Sequence, residues 1–197
     1  MERKLKPIMV DRTLRGKGVR LFSPQEFRRF FGVTLRAAQE FIKDHGQDLF
    51  LKLRNGLYAL RTEPPQELEI ANRLYEPSYV SFEYALAYYR IIPETVYGIT
   101  SATTKISREF VAQSKRYEYS KIKKKAYTGY RLLKVNTGKV LMATPEKALV
   151  DYCYFVDLRL KTLNERLRVD QLNASEALRY ARLFDRPRLL RLIKDIL

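Results

Sequence analysis

The chain has 197 residues, 46% hydrophobic and 30% charged. That is enough for one large domain or two small ones, and too apolar for a disordered chain. Its 38 Lys+Arg against 22 Asp+Glu leave a net charge of +16, an excess that predicts an acidic partner, most often nucleic acid. No apolar run approaches the ~20 residues of a membrane span, and no long apolar segment follows the basic N-terminus, so neither a membrane partner nor a secretory signal is expected and the cytoplasm is the expected location.

Residues 1–20 are polar and basic, with Arg12, Arg15, Lys17 and Arg20 around Gly16 and Gly18. Two readings fit: a flexible arm laid along DNA through Arg12, Arg15 and Lys17, or an ordinary first helix over residues 7–14. Ser23-Pro24-Gln25-Glu26 is a helix start, with Ser23 as cap, Pro24 at the first helical position and Glu26 reaching back to close a capping box. This helix carries Phe27, Phe30 and Phe31 inward and stops at Gly32. Val33 fills the turn, and Thr34 starts a second helix over about residues 35–45. Two short strands follow, 49–53 and 57–61, joined through Asn55-Gly56, a strong hairpin signal because both residues tolerate positive φ. Helix, tight turn, helix, hairpin is the order of a winged helix-turn-helix.

In the second helix Leu35, Ala38, Phe41 and Ile42 share one side and are expected to be buried. Arg36, Glu40 and Lys43 then point away together, with Thr34 and Ala37 near the exposed N-terminal end. In this motif the second helix enters the major groove of DNA. Arg36 is the expected base contact, since a guanidinium pairs bidentately with guanine. Lys52 and Arg54 alternate outward on the first wing strand toward phosphate, with Asn55 at the wing tip. Charge is skewed the same way: residues 1–62 hold 14 basic and 6 acidic residues, half the excess in a third of the chain.

Residues 62–66, Thr-Glu-Pro-Pro-Gln, are the expected boundary, because paired prolines cannot continue a strand ladder. They divide residues 1–62 from a second domain over 67–197. That domain begins helical at 67–75, with Leu68, Ala71 and Leu74 on one face, until Pro77. Ser81 is expected to cap a helix burying Phe82, Ala85, Leu86 and Tyr89. Tyrosines 79, 84, 88 and 89 could form a stacking platform, but their spacing follows a helix and core and interface packing is the preferred reading. Short strands are expected near 96–100, 109–111, 117–119, 130–135 and 139–142, the last two joined by Asn136-Thr137-Gly138. The expected class is therefore α+β: a winged helix-turn-helix, then a larger mixed domain with a small antiparallel sheet over about 96–142 and helices over 145–197. Lys121, Lys123, Lys124 and Lys125 form the densest basic cluster and read either as a solvated loop or as a contact for an acidic partner. Thr144-Pro145-Glu146 repeats the helix-start logic, followed by an apolar stripe of Ala148, Leu149, Tyr152, Cys153 and Val156. Further helix starts are expected near Asn173 and Asp185, with Leu189, Leu190, Ile193 and Leu197 packed in the last helix. Cys153, on the stripe, reads as a core thiol, and His45 as a helix-end residue. With one cysteine and one histidine, neither an internal disulfide nor a protein-built zinc site is expected.

Two runs go beyond composition. Pro77-Ser78-Tyr79-Val80-Ser81, continuing through Ala85-Leu86-Ala87-Tyr88-Tyr89, Ile92-Pro93-Glu94 and Ile99-Thr100-Ser101-Ala102-Thr103-Thr104, is followed later by Ala143-Thr144-Pro145-Glu146-Lys147-Ala148-Leu149-Val150-Asp151. In this order, and behind the winged-helix pattern, the runs resemble the AbiEi antitoxin family over about residues 20–155. The last forty residues match no motif of that family. The resemblance implies a type IV toxin–antitoxin system. The winged helix would bind double-stranded DNA at inverted repeats in the protein's own promoter and repress the operon. The C-terminal domain would counteract an AbiEii-like nucleotidyltransferase toxin functionally, without a stable complex. A DNA-binding regulator or adaptor outside any toxin system is the alternative.

An enzyme is not expected, and neither are cofactors. A nucleotidyltransferase needs Gly-Ser followed by Asp-x-Asp or Asp-x-Glu, and neither occurs. The carboxylate–Glu-x-Lys pattern of a metal-dependent nuclease is matched only by Glu2-Arg3-Lys4, near the chain end. The solitary His45 blocks a nucleophilic triad, and no P-loop appears.

Overall fold

A computed structural model describes residues 5–135 and 138–197, which form eight α-helices and two sheets in a mixed α+β arrangement. Glu2-Arg3-Lys4 and the Asn136-Thr137 part of the turn at 136–138 lie outside the described residues. The chain divides into two units, Met1–Leu74 and Tyr75–Leu197.

The first unit contains α1 (Pro7–Gly16), β1 (Leu21–Phe22), α2 (Pro24–Phe31), α3 (Leu35–Asp44), β2 (Phe50–Arg54), β3 (Leu57–Leu60) and α4 (Glu67–Leu74). Residues 7–16 are a helix, which favours the first-helix reading over a flexible arm: Arg12 and Arg15 lie on it and Lys17 just past its end. Val10 and Leu14, one turn apart, are fully buried and hold α1 against the core. The start of α2 is the expected capping box: the Glu26 N–H donates to Ser23 Oγ at 3.2 Å and the Ser23 N–H donates to Glu26 Oε2 at 2.7 Å. Gly32 ends α2 in the left-handed region (φ 64°), which glycine adopts without a Cβ clash. Thr34 caps α3 by accepting from the Ala37 N–H at 3.2 Å.

The core of this unit is built on phenylalanine. Phe22, Phe27 and Phe50 are fully buried, with Phe30, Phe31 and Phe41 half-buried around them. Phe22 meets Phe50 edge-on at 5.1 Å, a favoured aromatic geometry. The three strands run in the order β1-β3-β2, all antiparallel. In the turn between β2 and β3 only Gly56 takes positive φ (78°). The ladder shifts register between Lys52 and Arg54, and such a bulge breaks the simple alternation of side chains along β2.

The unit boundary falls between Leu74 and Tyr75, nine residues past the paired prolines. Ion pairs explain why α4 belongs to the first unit. Arg20 binds Glu63 at 3.0 Å and Glu69 at 3.2 Å, and Arg73 binds Glu26 at 2.7 Å.

The second unit contains β4 (Ser78–Val80), α5 (Phe82–Tyr88), β5 (Ile99–Thr103), β6 (Arg108–Ala112), β7 (Lys115–Lys121), a 3-10 turn (Lys124–Ala126), β8 (Tyr130–Val135), β9 (Gly138–Ala143), α6 (Pro145–Asp157), α7 (Ala174–Arg182) and α8 (Pro187–Ile196). Its sheet has six strands in the order β6-β7-β5-β4-β9-β8. The expected antiparallel sheet is corrected to a mixed one: β5 pairs β7 in parallel, and β4 meets β9 in parallel at Val80 and Met142. The sheet also starts earlier than residue 96. Strand β4 is three residues long and buried on both faces, so it shows no alternation that would mark a strand. Gln113 and Ser114, both at positive φ, make the tight turn between β6 and β7 without the usual Asn-Gly pair.

Thr144 caps α6 as expected, accepting from the Lys147 N–H at 3.3 Å. Ser81 makes no such bond to α5; its hydroxyl is turned to Asp151 instead. Asn173 caps α7. The last helix begins after Arg186 rather than at Asp185, with Pro187 in its first turn and Leu189 and Ile193 buried. Cys153 is fully buried, and burial pushes its thiol up to about 12.

Candidate nucleic-acid interface

The outward face of α3 is set by what the helix buries. Ala38 and Ile42 are buried, and Leu35 and Phe41 are half-buried on the same side. Arg36, Glu40 and Lys43 are exposed on the opposite side, Thr34 is exposed at the N-terminal end, and Ala37 is half-buried. Arg36 extends into solvent with its side chain 89% exposed and is paired to Glu40, one turn along, at 2.9 Å. The hydrogen bond that Arg36 donates to the Glu40 carboxylate raises the Arg36 pKa above its ordinary value. Glu40 therefore holds the guanidinium along the helix axis and offsets its charge. A solvent-exposed pair of this kind is weak, so a stronger acceptor can displace it.

The residues expected on the hairpin separate into two kinds. Lys52 and Asn55 are exposed. Arg54 is half-buried and committed inside its own unit, where Nε donates to the Leu74 carbonyl at 2.8 Å and Nη1 to the Asn55 carbonyl at 2.8 Å. The bulge after Lys52 is the physical reason the two residues do not share one outward orientation. On α1, Arg12 and Arg15 are exposed and Arg15 pairs with Asp11 at 2.9 Å, while Lys17 is exposed just past the helix end. Arg28 and Arg29, exposed in the last turn of α2 beside the turn to α3, add positive charge that the motif-based reading left out. Their signal was available: both lie off the Phe27, Phe30 and Phe31 face.

The lysine cluster of the second unit is divided by its surroundings. Lys123 Nζ donates to the Phe184 carbonyl at 2.5 Å, and Lys125 pairs with Asp185. These two lysines tie the 3-10 turn to the segment between α7 and α8. Lys121 and Lys124 remain exposed.

Sequence reasoning missed one charged cluster altogether. Lys147 and Asp151, four residues apart on α6, are fully buried and ion-paired. Asp151 also accepts from the hydroxyls of Tyr79 and Ser81, each at 2.8 Å. Burial pushes the Asp151 carboxyl up and the Lys147 ammonium down; their pairing opposes both shifts. The same contacts push the Tyr79 hydroxyl well up, first through burial and then through the charge of Asp151. The cluster binds α6 to β4. Its trace in the sequence is a Lys and an Asp at i, i+4 within a helix that is otherwise apolar nearly all round.

No family model matches this chain, and no curated protein does either. Among the described residues, no group of three or more His, Cys, Asp or Glu side chains is placed to hold a metal ion, and no helix is long and apolar enough to cross a membrane.

Proposed function

We propose that the first unit is a winged helix-turn-helix that binds duplex DNA, with α3 as the helix that enters the major groove. The observation that carries this reading is the solvent-facing side of α3, where Arg36 and Lys43 stand clear of a core made by Ala38, Ile42 and the phenylalanines. The order helix, capped tight turn, helix, hairpin and the basic skew of residues 1–62 support it. On this reading Arg36 leaves Glu40 for a base edge, and Lys52, Arg28 and Arg29 meet phosphate. Arg54 braces the hairpin rather than contacting DNA.

The two sequence runs quoted above extend the proposal to the whole chain: an AbiEi-like type IV antitoxin that represses its own promoter and opposes a nucleotidyltransferase-like toxin through the second unit. On this reading the chain acts by binding rather than as an enzyme. Fluorescence anisotropy tests the DNA-binding part. The protein's own upstream duplex binds more tightly than a scrambled one, with a log–log salt slope of roughly −0.9 per phosphate neutralised. Equal affinity for the scrambled duplex refutes it. Arg36→Ala weakens specific binding by about 1–3 kcal/mol. Glu40→Gln frees Arg36, removes a repelling charge and tightens binding to all duplexes. Co-expression with the gene encoding the toxin tests the rest: no growth rescue removes the antitoxin assignment and leaves a DNA-binding regulator.

A further inference from the structure

The second unit carries two adjoining clefts unrelated to the α3 face. The first, about 550 Å³, is lined by Tyr84, Tyr88, Arg90, Pro93, Val96 and Arg168, among others. The second, about 480 Å³, shares Arg90 and Arg168 with it. Arg90 lies just past the end of α5 at φ 59°. Its N–H donates to the Ala87 carbonyl at 3.0 Å, and the Ile91 N–H donates to the Leu86 carbonyl at 2.9 Å. These are the paired bonds of a Schellman ending, whose left-handed position usually holds glycine. Arg168 is fixed beside it, because its N–H donates to the Ile91 carbonyl at 2.8 Å.

Neither guanidinium has a side-chain partner among the described residues. The nearby carboxylate of Glu94 is taken up by Asn164 Nδ2 at 2.9 Å and by Arg166. Asp170 lines the second cleft only. Glu94 lines the first cleft as well, but its carboxylate is engaged by Asn164 and Arg166, which leaves the exposed Arg90 and Arg168 there without a side-chain partner among the described residues, next to phenol rings. Tyr88 is 47% exposed, and Tyr89 supports its ring edge-on at a centroid distance of 5.1 Å. Tyr89 is itself anchored by its hydroxyl, which donates to the Ala143 carbonyl at 2.9 Å.

A guanidinium group matches the geometry of phosphate oxygens, and two of them line this cleft. A supported, exposed tyrosine ring offers a stacking surface to any base. The volume falls within the ~300–1,000 Å³ of small-molecule sites. We propose that this cleft binds a free nucleotide, with phosphate held by Arg90 and Arg168 and the base against Tyr88. This site is independent of the DNA-binding reading.

Isothermal titration of the full chain at low salt with ATP, GTP, CTP and UTP, and with inorganic phosphate and adenosine as part-ligands, tests it. At least one nucleotide binds with sub-millimolar affinity and more tightly than either part-ligand. Arg90→Gly places glycine where the helix ending favours it, so it keeps the fold while weakening binding about tenfold or more; Arg168→Ala does the same at the other cation. The proposal is overturned if none of the four nucleotides binds at millimolar concentration. Unchanged affinity in the Arg90→Gly/Arg168→Ala double variant overturns it too, as does phosphate alone binding as tightly as the nucleotide. So does binding of a single-stranded oligonucleotide with none of the mononucleotides.

Discussion

Replacing Asp151 by Asn isolates the charge of the buried cluster from its hydrogen bonds. The asparagine carbonyl still accepts from Tyr79 and Ser81, whereas Lys147 loses its counter-charge in a fully buried site. Lys147 must then keep an unpaired charge or give up its proton. Giving up the proton at pH 7, against an ordinary value of 10.5, costs about 4–5 kcal/mol at about 1.4 kcal/mol per pH unit. That agrees with the ~3–5 kcal/mol found when one partner of a buried ion pair is removed. In the variant, burial holds the Lys147 pKa below its unfolded value, so the folded state binds fewer protons than the unfolded state. Stability therefore rises with pH toward 10.5, by up to about 1.4 kcal/mol per unit, and falls as pH drops. Urea unfolding at pH 7, 8 and 9 measures this. Near-UV tyrosine dichroism reports the second unit almost alone, because the chain has no tryptophan and 13 of its 14 tyrosines lie beyond residue 74. Adding Lys147→Met to Asp151→Asn recovers stability to within about 1–3 kcal/mol of the parent, since no buried charge is left and only the amide N–H₂ lacks a partner. A deficit below about 1 kcal/mol, a deficit that does not change with pH, or a double variant as unstable as the single would refute the reasoning.

The structure makes three further outcomes testable. Burial pushes the Glu26 carboxyl up, but the Ser23 N–H and Arg73 outweigh it and hold its pKa below 4.5. The first unit is therefore stabilised by Glu26 above pH 4.5 and loses that contribution as pH falls through the lower folded value; Glu26→Gln flattens this part of the acid unfolding curve, and an unchanged curve counts against it. Gly129→Ala destabilises the second unit by about 2 kcal/mol or more in thermal unfolding. The residue has φ +76°, and a Cβ there would lie 2.6 Å from the Tyr180 ring and 2.9 Å from Lys147 Cγ. Cys153, buried and raised to about 12, leaves Ellman's reagent unreacted at pH 8 in the folded protein and reacts fully in urea; rapid labelling without denaturant contradicts a packed thiol.

Much of the first unit was legible locally. Ser23, Pro24 and Glu26 start α2, Gly32 ends it and Thr34 starts α3, because a cap is satisfied by groups three residues away. The same holds for Thr144 and Asn173. The exposed placement of Arg36, Glu40, Lys43 and Lys52 followed from periodicity. Arg54 did not, since its partner is the Leu74 carbonyl, twenty residues on, and a bulge upsets the alternation before it. Ser81 looked like a cap, which would accept from a backbone N–H, but its hydroxyl is turned away to donate to Asp151, seventy residues on.

The chain alone determined where most helices begin, which faces are apolar and how strongly the N-terminal third is charged, because those features depend on neighbours within one or two turns. Tertiary structure alone decided the parallel pairings of β4 and β5, the assignment of α4 to the first unit, and the placement of Arg90 beside Arg168. Strand partners and the neutralisation of buried charge are settled between residues far apart in sequence, where periodicity carries no information about which segments meet.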